Sequence, residues 1–168
     1  MGKCCSYIVL LMSVLFFVAC RTARPVSKEE THNGVTKLRS RHMKRLVEFA
    51  ALQLNAPYKW GGSSPKGFDC SGFTWYCFNH SGLTLPRTAL EQSTSGKKVR
   101  GRKAKTGDLI FFKGPDHQQK KVAHVGIVVS GRKQNIKFIH AGSKGITISM
   151  LREDYFRKRF KGIRRVRR

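Results

Sequence analysis

Acidic residues are scarce in this chain. Nine Asp and Glu stand against 34 Lys and Arg in 168 residues, leaving a formal net charge of +25. Such a surplus excludes a self-neutralised surface and favours polyanionic neighbours, nucleic acid first among them. No module of stacking aromatics accompanies the charge, however, and an export signal at the N-terminus separates the chain from cytosolic nucleic acid. The Arg-rich end, Arg164-Arg165-Val166-Arg167-Arg168, is as readily a solubilising surface as a docking element.

Long apolar runs are also missing. The apolar stretch from Tyr7 to Val18 covers 12 residues, too few to cross a hydrocarbon core of about 30 Å as a helix. Behind Lys3 it reads as the core of a signal peptide, residues 1–19. Phe17-Val18-Ala19-Cys20 resembles a bacterial lipobox, in which Cys20 becomes lipid-modified. The alternative is a plain secretory signal with an incidental cysteine. Arg21, where an inner-membrane lipoprotein would carry Asp, resembles outer-membrane sorting.

Cysteines suited to disulfides are lacking too. With Cys4 and Cys5 removed in the signal and Cys20 given to lipid, only Cys70 and Cys77 remain. Seven residues apart on one helix, they are separated by about 10 Å of rise, too far to bridge. Cys77 with His80 lacks a second ligand pair at zinc spacing, so Cys77 reads as a buried thiol and neither metal nor cofactor is expected.

What is present centres on Phe68-Asp69-Cys70-Ser71-Gly72-Phe73-Thr74-Trp75, which sets a cysteine where an apolar-faced helix begins. A thiol at a helix N-terminus feels the positive end of the macrodipole, which favours the attacking thiolate. Cys70 is therefore the candidate nucleophile. Val122-Ala123-His124-Val125-Gly126-Ile127 places an imidazole at the head of a β-branched run, and Lys137-Phe138-Ile139-His140 ends a second short strand with another. Antiparallel pairing through a turn near Gly131 makes His124 and His140 neighbours. Nucleophile, base and orienting group are then available for acyl transfer.

These residues resemble a family. Pro57-Tyr58-Lys59-Trp60-Gly61-Gly62, Phe68 to Phe73, Leu85-Pro86-Arg87-Thr88, Gly107-Asp108-Leu109-Ile110-Phe111-Phe112, His124 to Ile127 and Phe138 to Ala141 look, in order, like the NlpC-like cell-wall cysteine peptidases, from about Arg41 to the C-terminus. The layout is closest to Spr-type murein endopeptidase lipoproteins. The resemblance implies a papain-like α+β fold and hydrolysis of an amide in peptidoglycan stem peptides or cross-links, by a thioester on Cys70 with His124 as base and His140 as its orienter. It also implies that Tyr58 donates to the oxyanion and that Asp69 and Ser71 face the substrate. For those two, N-capping of the helix is an equal reading. Trp60 is expected in the core or lining the cleft. The implied setting is a monomer in the bacterial envelope, held to the membrane by lipid among anionic envelope components.

Element order agrees with that fold. A polar tether over 20–37 leads to a domain over 38–168, with helical spacing from Arg41 to Leu54, a Gly-rich loop over 61–67, the Cys70 helix ended by Gly82 and a short helix after Pro86. Strands are predicted at 108–113, 124–130, 136–140, 145–150 and 162–166. Helices followed by strands predict an α+β domain whose nucleophile helix packs on an antiparallel sheet. Three other functions stay open: an inactive wall-binding lipoprotein, an acyltransferase or amidase of the same fold, and a basic nucleic-acid-binding protein.

Overall fold

Between Pro25 and Pro57 the sequence holds no helix breaker except Gly34 and is rich in Lys, Arg, Glu and Leu, so one helix can run through it. In the computed structural model, which describes residues 28–114, 120–132 and 135–166, helix α1 spans Lys28–Ala51. The segment expected to be a loose tether is thus helical from Lys28 onward. Buried Leu46, Val47 and Ala50 anchor the C-terminal turns, and helix propagates backward from them at little cost per residue. Val35 and Leu38, 60% and 64% exposed, mark the unpacked end. The signal peptide, the lipidation at Cys20, Arg21, His117 and Arg167-Arg168 lie outside the described residues.

The chain divides between Val35 and Thr36, and the second unit holds every strand described here. After α1, Asn55 N–H donates to the Ile146 carbonyl and Ile146 N–H to that of Ala56, tying the incoming loop to the far end of the chain. Strands β1 (Ser63–Ser64) and β2 (Gly67–Phe68) then form a small antiparallel pair. Phe68 N–H donates to the Pro57 carbonyl and Lys59 N–H to that of Phe68, so Tyr58 runs beside the residue that leads into the next helix.

Helix α2 (Cys70–His80) buries Ser71, Gly72, Phe73, Thr74, Cys77 and Phe78 and stops just short of Gly82, as expected. A Cβ on Gly72 would lie 2.0 Å from the Gly62 carbonyl oxygen, so only glycine lets the preceding loop pack on the first turn. The short helix expected after Pro86 is α3 (Ala89–Gln92), opened by a Thr88–Glu91 capping box.

The five predicted strands are present as β4 (Leu109–Lys113), β5 (Val122–Arg132), β6 (Asn135–Gly142), β7 (Gly145–Met150) and β8 (Phe160–Arg165), joined by an earlier strand β3 (Lys97–Val99) and a helix α4 (Asp154–Arg159). The two unforeseen elements carry weak local signals. Strand β3 is three residues long and largely basic, and α4 makes under two turns. Strand order is β3-β8-β4-β5-β6-β7, and each neighbouring pair runs antiparallel.

Period-two alternation gives this sheet two buried faces. Leu109, Phe111, Val125, Ile127 and Ile139 pack with Phe73, Cys77 and Phe78 of α2. Ile110, Phe112, Val128, Phe138 and Ile163 form a second core that Phe156 of α4 helps to close. The α+β class expected from the sequence is the class observed.

Candidate active site

Asp69 stands outside α2 in extended conformation, and its Oδ1 accepts the Gly72 N–H at 2.6 Å and the Ser71 hydroxyl at 3.2 Å. The N-capping reading of Asp69 therefore holds. The same carboxylate is gripped by Arg87, whose Nη1 donates to Oδ1 at 3.0 Å and Nη2 to Oδ2 at 2.6 Å, with side-chain exposures of 38% and 14% for Arg87 and Asp69. Burial alone would raise the Asp69 carboxyl, but the hydrogen bonds and charge of Arg87, with Gly72 and Ser71, outweigh it and hold it below the usual range. Arg87 also donates to Ser71 Oγ and to the Gly62 carbonyl, locking loop, cap and helix together.

Beneath this cap the fully buried Gln92 donates to the Ser71 and Pro86 carbonyls and accepts from the Thr74 hydroxyl at 2.7 Å. A buried amide with partners on both ends fixes the first turn of α2 against α3.

The Cys70 thiol is half-buried, and its Sγ donates to the Ala123 carbonyl at 3.8 Å. The Val125 N–H also bonds to it, so the sulfur meets β5 at the backbone on either side of His124. Burial pushes the thiol up and Asp69 adds to the rise, while the N–H groups of Val125, Ser71 and Cys70 oppose it. The net direction is upward. This runs against the expectation that the helix N-terminus favours the thiolate: desolvation outweighs the local N–H groups and favours the thiol.

His124 and His140 do come together. His124 Nε2 lies 2.9 Å from His140 Nδ1, with the rings at 87°, and His140 Nε2 lies 3.1 Å from Ser149 Oγ. Burial pushes His124 down to about 4, and burial together with the neighbouring His124 pushes His140 down to about 3, against a smaller opposing bond to the Ala141 backbone. Both rings are neutral at neutral pH. The row can run in either sense, and the sense that suits a base has His124 Nε2–H donating to His140 Nδ1 and His140 Nε2–H to Ser149 Oγ, which leaves the lone pair of His124 Nδ1 free. His140 is 3% exposed, with Phe138 and Phe156 rings at 5.0 and 5.2 Å. Gly126 makes room for it, since a Cβ there would lie 3.1 Å from His140 Cβ and 2.9 Å from the Ile139 carbonyl oxygen.

Tyr58 is raised by burial first, then by Cys70 and Asp69, which places its hydroxyl within their electrostatic reach. Trp60 is 88% exposed, which overturns its placement in the core but not on the cleft; it sits in the turn closed by Gly62 N–H on the Lys59 carbonyl. Cys77 is buried among apolar side chains and burial alone pushes its thiol far up, while His80 stacks on Phe49 at 3.5 Å. Among the described residues no group of three or more His, Cys, Asp or Glu could hold a metal ion.

Three polar residues of the site were not assigned from sequence. Arg87 lay inside a quoted motif without a role, although a lone carboxylate beside the nucleophile in so basic a chain calls for a cation. Gln92 gave no signal. Ser149 could have been found by parity, since it shares a sheet face with the strand position that neighbours His140.

A helix that presents a capped thiol to the backbone of a strand bearing one of two bonded imidazoles, on an antiparallel sheet, defines a papain-like α+β domain of the cysteine-hydrolase class. The NlpC/P60 family profile matches residues 55–165. The chain belongs to that family. Over 102 residues it is 44% identical to the bifunctional muramidase/DL-endopeptidase CwlT of Bacillus subtilis, covering 60% of this chain but only 30% of CwlT. Over 144 residues it is 37% identical to the murein DD-endopeptidase MepS/murein LD-carboxypeptidase of Escherichia coli K12, covering 83% of this chain and 70% of that one. Among solved structures, an NLP/P60 family protein from Staphylococcus aureus, described as similar to lipoprotein, superposes with a TM-score of 0.67 at 33% identity, over 75% of this chain and 41% of its own.

Proposed function

We propose that this chain is a peptidoglycan endopeptidase that hydrolyses an amide bond of cell-wall stem peptides or cross-links through a thioester. The observation that carries this reading is the row His124–His140–Ser149 beside a capped thiol, in a domain whose relatives are named for cleavage of murein.

Substrate binding brings a carbonyl to Cys70 Sγ. His124 Nδ1 takes the thiol proton as the sulfur attacks, and the imidazolium that forms is held through Nε2–H by His140. The oxyanion takes hydrogen bonds from the Tyr58 hydroxyl and the Cys70 backbone N–H. His124 returns its proton to the leaving amine, and a water activated by the same ring then hydrolyses the thioester. A thiol with a raised pKa and a neutral imidazole suit this order, because the proton moves when the substrate arrives rather than beforehand. Asp69 faces the substrate while capping the helix, Ser71 stands buried beside it on the same side, and Arg87 holds both in place.

The domain works in the bacterial envelope as a monomer, behind a cleaved signal and a lipid on Cys20 that faces it to the periplasm from the outer membrane. No described helix is long and apolar enough to cross a membrane, so anchoring falls to that lipid or to segments outside the described residues. Mass analysis of the mature N-terminus tests the anchor: a diacylglyceryl-modified Cys20 is expected, and an unmodified N-terminus downstream of residue 20 would refute it.

Digestion of purified sacculi by the wild type and by Cys70→Ala, with mass analysis of released fragments, tests the activity and names the bond. Muropeptides released by the wild type alone are the expected result. Equal release by Cys70→Ala, or none by either protein, would refute the reading.

A further inference from the structure

Strands β3 and β8 bring like charges together without compensation. Lys98 and Arg164 stand directly opposite in register, a pairing that destabilises a sheet by a few tenths of a kcal/mol or more unless a counterion joins it. Neither makes an ion pair among the described residues, and neither does Lys161. Arg165, by contrast, is fully used: it grips the buried Asp108 at 2.7 Å through both Nε and Nη2. Folding explains one of these cations and not the other three.

All three line one depression of about 190 Å³, whose floor includes Phe111, Val122 and Gly162. No carboxylate lines it. Nothing lies within 4 Å of where a Cβ on Gly162 would sit, so the space above the strand is open. The register fixes where this depression lies relative to the chemistry. Phe111 pairs with Val125 on one side and Gly162 on the other, and the Val125 N–H is one of the groups bonded to Cys70 Sγ. From Val125 to Gly162 is therefore two strand spacings, roughly 10 Å, on the face of the sheet that carries α2. Val122 joins the two sites directly, one residue before the carbonyl that the thiol touches.

From this geometry we infer that the Lys98–Lys161–Arg164 depression is a substrate subsite, which binds a free carboxylate carried about four residues from the scissile bond. Arg164 pairs with Leu109, two residues along from the Phe111–Gly162 pair, so it lies about 12 Å from Val125; an extended peptide spans this in about four residues, and an acyl carbon at Cys70 and a carboxylate at Arg164 belong to one ligand of that length. Arg164 offers a planar fork for the carboxylate, and Lys98 and Lys161 add charge without demanding geometry. The inference rests on the proposed peptidoglycan reading and narrows it: the preferred stem is one whose side-chain or terminal carboxylate is free rather than amidated.

The test compares the wild type with the double variant Lys98→Gln/Arg164→Gln on two soluble muropeptides that differ only in amidation of that carboxylate. The wild type is expected to show a KM about tenfold lower for the free acid, with kcat within twofold, and a preference that shrinks as salt rises. In the double variant the two substrates should share the higher KM, with circular dichroism and thermal midpoint showing a folded protein. Equal KM values for the two peptides in the wild type would overturn the subsite, as would a preference left intact in the folded variant. Titration of both peptides into Cys70→Ala separates the two readings. Tighter binding of the free acid, lost with the two cations, supports the subsite even if turnover is absent and the endopeptidase reading fails.

Discussion

Helix α2 carries two cysteines whose surroundings could hardly differ more. At its first turn Cys70 meets strand backbone, a capping carboxylate and N–H groups that oppose the effect of burial. Two turns later Cys77 meets only apolar side chains, and burial acts on it alone. Sequence position on one helix is therefore a poor guide to thiol chemistry. What separates a reagent from a piece of core is the set of groups arriving from elsewhere: Asp69 and Arg87 beside the cap, and β5 across the sulfur.

The sharpest way to break this contrast is to change each sulfur in turn. Cys70→Ala should lower turnover by about 10⁴-fold or more while leaving the thermal midpoint within a few degrees, measured by muropeptide release and calorimetry. Cys77→Ser should do the reverse, costing about 1–3 kcal/mol of stability by burying a hydroxyl without a partner and leaving kcat close to wild type. If Cys77→Ser also abolished turnover in a folded protein, the two ends of α2 would not be separable.

Removing the cation at the first turn should have an intermediate effect. Arg87→Ala leaves the Asp69 carboxylate with only its Gly72 and Ser71 donors, and a loss of about 1–2 kcal/mol with roughly a hundredfold fall in kcat/KM is expected, because both the cap and the thiol shift. A variant with unchanged kinetics would reduce Arg87 to a surface ion pair.

The imidazole row gives a pH signature that the core thiol lacks. His124 and His140 titrate near 4 and 3 in the folded chain against about 6.5 when unfolded. Between those values the unfolded chain binds more protons, so stability should rise with pH from about 3 to 6.5 and be lost progressively as pH falls through that window. Denaturant titrations from pH 4 to 7 read this slope, and His140→Gln should reduce it. The smallest effect is expected from Ser149→Ala. Its hydroxyl is half-exposed, so water can take over the bond to His140, and a fall in kcat of about tenfold or less is anticipated, restored by Ser149→Thr.

Much of this architecture was legible from patterning. Alternating apolar residues gave the central strands, and the parity of His124 and His140 on neighbouring strands gave their contact. Elements held by tertiary contacts were not legible: β3 exists because β8 returns to pair with it, and α4 because Phe156 fills the second core. The backward extension of α1 was masked by its polar composition. The state of the Cys70 thiol was misread for a related reason, since a local rule about helix ends cannot register burial imposed by β5. For Trp60 the same limit applies to the core reading alone, since the side chain is exposed.

The account depends on Cys70 and His124 acting as one proton-transfer unit, and the pH dependence of Cys70 alkylation by iodoacetamide tests this most directly, with the labelled peptide identified by mass. With His124 taking the thiol proton as the reagent arrives, the wild-type rate near neutral pH should exceed that of His124→Ala by about tenfold or more, the variant recovering only as pH climbs toward the raised pKa of the thiol. Superimposable pH profiles for the two proteins would contradict it.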